Sequence, residues 1–140
     1  MVNKNYRLYD ILKFLIVFIF VYLILWFFID LRGLEAKIIG KILNCKIQKN
    51  FLICDGKIFE IVKECTGILS ISFLISILIF DFKTINKKYI ILGIIFLLIW
   101  NIVRILLVIY LNGNEFIHSS TWFISVLFVL VFIYLSYFKR

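Results

Sequence analysis

The run Tyr89–Leu111 reads YIILGIIFLLIWNIVRILLVIYL. A helix over it is roughly 34 Å long, enough to cross a hydrocarbon core about 30 Å thick. It carries no acid and a single base, Arg104. Three more apolar runs flank it: Ile11–Ile29 with Lys13 near its start, Cys65–Phe80 with Ser70, Ser72 and Ser76, and Ser119–Phe138 followed by Lys139 and Arg140. As helices these measure roughly 28, 24 and 30 Å. Cys65–Phe80 is short for a crossing and needs flanking residues or local thinning of the bilayer. The first run, about 19 residues, exceeds the roughly 7–15 of a signal-peptide core and reads as a retained anchor.

Composition agrees. The chain has 140 residues, is 64% hydrophobic, and holds 16 Phe and no Pro. An ordinary soluble domain is roughly 45–50% apolar. At this length only about 70% of the unfolded surface is buried, so in water the remainder would be a greasy exterior. Disorder, collagen and a small disulfide scaffold are excluded. The expected fold is an all-α membrane protein, a bundle of four transmembrane helices forming one multi-pass domain over residues 1–140. The expected spans are 11–29, 65–80, 89–111 and 119–138, with a small extracytoplasmic segment over 30–64.

The formal charge of +8 would suggest nucleic acid in a soluble protein. Here the bases cluster beside apolar runs, so membrane topology is the simpler reading and no nucleic-acid partner is expected. Lys4, Arg7 and Lys13 precede the first span, Lys83, Lys87 and Lys88 lie between the second and third, and Lys139 and Arg140 follow the fourth. Residues 112–118 contain no Lys or Arg. Both termini are therefore expected in the cytoplasm. The outer segment carries Arg32 and six lysines against five acids, but alternation of the spans still puts it outside.

Within that segment Leu34, Ile38, Ile39 and Ile42 share a helical face, with Glu35, Lys37 and Lys41 elsewhere, as in a short helix lying on lipid. Downstream, Lys49-Asn50 and Asp55-Gly56 are turn candidates in a small antiparallel meander. If Lys49-Asn50 is a two-residue turn, Gln48 faces Phe51 and Cys45 faces Cys54. Those two cysteines then either bridge or pack as unpaired small apolar residues.

Three residues carry chemistry. Arg104 lies inside an apolar run, where a charge is expensive and by default a functional candidate. Asn101 is one turn away on the same face. Cys65 stands where the outer segment meets the second span, in Glu64-Cys65-Thr66-Gly67-Ile68. There it is expected in the first turn of a helix, whose dipole favours thiolate. Arg104 and a protonated His118 would add to that effect and Glu64 would oppose it. His118, the one histidine, precedes the fourth span on the same side. Thiol, imidazole and guanidinium thus converge near one depth, the pairing that acyl transfer uses. No zinc-type spacing and no glycine-rich phosphate loop occurs, so neither metal nor cofactor is expected.

Cys-Thr-Gly-Ile at 65–68, Asn101-x-x-Arg104-Ile105 and the downstream His118 together resemble the exosortase/archaeosortase family of multi-pass membrane cysteine proteases and transpeptidases. The resemblance covers roughly residues 58–125. It implies packed transmembrane helices and a Cys65, Arg104, His118 site, with Thr66 and Asn101 in support. It also implies a membrane-protein substrate with a C-terminal sorting signal, made of a short motif, a membrane helix and a basic tail. The new C-terminus would pass to water, a lipid or another amine. Cys65 would form a thioester, His118 would shuttle the proton, and Arg104 would hold the oxyanion. A non-enzymatic membrane protein (an assembly partner or transporter subunit) and a membrane acyltransferase are the competing readings.

Overall fold

The computed structural model describes residues 4–113 and 115–138, with side chains over 8–113 and 116–138. It is mostly helical. In chain order it runs α1 (Lys4–Phe28), α2 (Arg32–Leu43), β1 (Lys46–Gln48), β2 (Phe51–Cys54), β3 (Lys57–Glu60), a 3-10 turn (Lys63–Thr66), α3 (Ile68–Phe80), α4 (Lys87–Tyr110) and α5 (Glu115–Phe138).

Three segments are long and apolar enough to cross a membrane: Leu8–Phe28, Lys87–Tyr110 and Phe116–Phe138. They bear out three of the expected runs and mark the chain as a membrane protein. Their outward faces are apolar; Phe20, Phe27, Ile99, Phe123 and Leu130 are all exposed. Water would not tolerate such a surface and lipid does.

The second run departs from expectation. Its helix begins at Ile68, not at Cys65, and ends at Phe80. The cause is Gly67, whose φ of +71° is left-handed. That conformation separates the 3-10 turn from α3 and is the one that glycine adopts most readily. The remaining helix is about 20 Å long, shorter than a bilayer core.

α3 packs against α1, α4 and α5. Phe14 and Phe18 of α1 meet Phe73 edge-on at 5.3 and 5.6 Å. Ser72 and Ser76, both fully buried, donate to the carbonyls of Ile68 and Ser72 at 2.6 Å. Their hydroxyls are thereby satisfied inside their own helix. α4 and α5 lie close together because Gly93 has no side chain. A Cβ there would stand 2.8 Å from the Phe132 ring. Trp100 Nε1 also donates to Ser125 Oγ at 3.0 Å. The core of this bundle is Ile71, Leu74, Ile77, Ile90, Leu97 and Val129.

A second core lies under the sheet. Ala36, Ile39, Leu52 and Ile61 pack there on Ile105 and Ile109 of α4. The strands are antiparallel in the order β1-β2-β3. Gln48 pairs with Phe51 and Cys54 with Lys57, so both turns have two residues, as expected. Asp55 and Gly56 carry φ of +50° and +78°, the signs of a hairpin turn of the primed kind.

The lipid face expected for α2 is displaced. Leu34 and Ile42 are exposed, but Ile39 is fully buried together with Ala36, Gly40 and Glu35. Small residues account for this. A Cβ on Gly40 would stand 2.4 Å from Ile47 Cγ1, so the helix can seat against the sheet only on its Ala36–Gly40 side.

Cys45 and Cys54 form a disulfide with a Cα–Cα distance of 4.8 Å, and Cys65 is free. Alkylation of unreduced protein followed by mass spectrometry should therefore label Cys65 alone. Labelling of all three cysteines before reduction would remove the bridge.

Candidate functional site

The site forms where the sheet meets the far end of α4 and the start of α5. Cys65 occupies the 3-10 turn and is half-buried. Arg104 projects from α4 and is only 2% exposed. Its Nη2 donates to the Cys65 carbonyl at 2.7 Å. His118 lies in the first turn of α5. Cys65, Arg104 and His118 line one cavity of about 230 Å³ whose other walls are residues 58–60 of β3, the following Ile61, and Ile105, Val108 and Ile109 of α4.

The supporting residues divide. Asn101 is buried one turn from Arg104. Its Nδ2 donates to Glu35 Oε1 at 2.8 Å. Its Oδ1 would lie 3.5 Å from a Cβ at Gly67, so it buttresses the backbone just past the thiol. Thr66 is fully buried and donates from Oγ1 to the Lys63 carbonyl at 2.7 Å. It closes the turn that carries Cys65.

Electrostatics around the thiol run against the expectation of a helix dipole. Cys65 precedes the left-handed Gly67 rather than opening α3, so that dipole does not act through a continuous first turn. Burial pushes the Cys65 thiol above its ordinary range. The Arg104 charge draws it back, and Glu64 and Glu35 push it further up. Among the charges around Cys65, the Arg104 guanidinium is the one that favours a thiolate.

Glu35 was not among the residues singled out by sequence. It is 4% exposed on α2, against Asn101. Burial pushes its carboxyl up to about 7, against the hydrogen bond from Asn101 and the charge of Arg104. Glu35 Oε2 and Arg104 Nε are both buried without a hydrogen-bond partner among the described residues. Buried polar atoms of that kind are uncommon and mark sites of strain or chemistry. The signal available in sequence was Glu35 beside Ala36 and four residues before Ile39, the stripe that packs inward.

No family model matches the chain. Over 118 residues it is 33% identical to the protein "Probable archaeosortase E" of Methanocaldococcus jannaschii. The chain is similar to an archaeosortase. The match takes in 78% of this chain and 63% of the archaeosortase, so the chain spans less than two thirds of that relative's length. No solved structure matches.

Proposed function

We propose that this protein is a membrane-embedded cysteine peptidase or transpeptidase of the archaeosortase kind, acting on a membrane protein with a C-terminal sorting signal. The observation that carries the reading is the cavity shared by Cys65, Arg104 and His118. The thiolate of Cys65 attacks the scissile carbonyl carbon, and His118 takes the thiol proton. Arg104 stabilises the negative charge that gathers on the carbonyl oxygen. The C–N bond then breaks, the leaving amine takes the proton from His118, and a thioester remains on Cys65. Water, a lipid or another amine releases it.

The sheet supports a polypeptide substrate. Lys57 and Phe59 face Cys54 and Leu52 as the bonded pairs of a two-residue hairpin, and Ile61 N donates to Asn50 O at 2.9 Å. By alternation, the backbone groups of Ile58 and Glu60 point away from β2. β3 is an edge strand, and both residues line the cavity that holds the thiol. An extended peptide can pair with such an edge.

In this reading α3, with the turn before it, completes a fourth crossing in a thinned bilayer. The protein then sits in the cell membrane with both termini cytoplasmic and the site at the extracytoplasmic face. Lys139 and Arg140, on which that orientation partly depends, lie outside the described residues. Reporter fusions after Arg140 and within residues 112–115 should report opposite sides of the membrane. Same-side readings would break the orientation.

The function is tested by co-expression with a membrane-anchored precursor from the same genome that ends in a motif, an apolar helix and a basic tail. The expected result is a shorter product truncated at the signal. Precursors of that kind left full length would count against the reading.

A further inference from the structure

Glu35 sits where α2 meets both α4 and the turn that carries Cys65. Its carboxyl faces Asn101 and Arg104 of α4, and its charge is felt by Cys65; Glu64 of the turn and Asp30 before α2 are the nearby acids. Arg104 makes no ion pair among the described residues. A buried cation without a paired anion is costly, and the two acids that act on Arg104 are the Cys65 thiol and Glu35. The guanidinium carries one charge, and both of those groups can become anions.

We propose that Glu35 is a positioning residue that competes with an anion at Cys65 for the single charge of Arg104. The inference rests on the reading of Cys65 as the nucleophile. Glu35 Oε1 keeps its hydrogen bond from Asn101 Nδ2 in both protonation states, which leaves the unpartnered Oε2 to gain or lose the proton. With the proton on Glu35, the field of Arg104 falls undivided on Cys65. With Glu35 ionised, that field is shared and a thiolate is harder to form. Because burial pushes Glu35 up to about 7, the exchange falls below the range in which the Cys65 thiol ionises, where the alkylation rate follows the small thiolate fraction. The carboxyl thus tunes the nucleophile without touching substrate.

The test is the pH profile of Cys65 alkylation by iodoacetamide in the membrane-embedded protein. The disulfide leaves Cys65 as the free thiol, so the readout needs no substrate. In the wild type the logarithm of the rate should rise with pH at a slope below one around neutrality, because each ionised Glu35 raises the barrier to the next deprotonation. Glu35→Gln keeps a carbonyl oxygen for Asn101 and removes the charge. It should restore unit slope, match the wild type below pH 6, and react roughly three- to tenfold faster at pH 8. Glu35→Met should also react faster, although it loses the hydrogen bond. A merely structural Glu35 would leave the Gln profile on top of the wild type. A unit slope in the wild type would overturn the proposal even if no Glu35 variant folds. Failure of the peptidase reading appears elsewhere, as an intact precursor beside an unaltered alkylation profile.

Discussion

Changing Cys65 to Ala is expected to abolish precursor cleavage and leave the protein in the membrane. The side chain removed is the proposed nucleophile. The group that holds the turn in place is a different atom, the Cys65 carbonyl, which accepts from Arg104 at 2.7 Å and survives the substitution. Thr66 and its bond to the Lys63 carbonyl also remain. The expected loss is at least about 10³-fold in product formation, as for a nucleophile removed from an enzyme in which its partners act as a unit. Cys65→Ser should fail as well, since a hydroxyl ionises far less readily than a thiol. The readout is the precursor-to-product ratio on co-expression, with the amount of membrane-inserted variant measured alongside. Normal processing by Cys65→Ala would sink the mechanism.

The second large effect belongs to Arg104. Removing one oxyanion donor typically lowers the rate by roughly 10²–10³-fold. Arg104→Leu should reach that range, because the guanidinium is buried and is the only Lys or Arg among the described residues that line the cavity. Arg104→Lys should recover only part of the activity. A single ammonium cannot bond the Cys65 carbonyl and an oxyanion in the fork geometry that a guanidinium offers. Iodoacetamide labelling of Cys65 in each variant checks that the turn is still formed. A fully active Arg104→Leu protein would exclude the proposed role and leave Arg104 as a packing contact.

Much of the architecture is legible in the residues. Long apolar runs give α1, α4 and α5 because nothing else suits them but lipid. The two hairpin turns were readable because each has the right length and contains Asn or Asp-Gly, although in the first the positive φ falls on Lys49. That register set Cys45 opposite Cys54 but left open whether they bridge; the structure closes the disulfide. Two features were not legible. The start of α3 turned on one backbone angle at Gly67, and apolarity alone cannot distinguish a helix that begins at Cys65 from one that begins after a turn. The face of α2 turned on close approach between Gly40 and Ile47, a tertiary contact that outweighs the apolar stripe of Leu34, Ile38 and Ile42. That rotation carries Glu35 inward, which is why a residue that looks like ordinary surface charge touches Asn101 instead. Cys65, Arg104 and His118 could be brought together from sequence because alternation of the runs sets the start of the second, the end of the third and the start of the fourth on one side. Their shared cavity is a property of the fold.

In the proposed mechanism Cys65 carries the acyl group of a cleaved polypeptide. Intact-mass analysis of the wild-type protein, quenched in acid after brief co-expression with the precursor, tests it most directly. The expected result is an adduct whose mass equals the precursor without its sorting signal, mapped to Cys65 and released by neutral hydroxylamine. Cleavage of the precursor with the acyl group on another residue, or a Cys65→Ala protein that still forms the adduct, would contradict it.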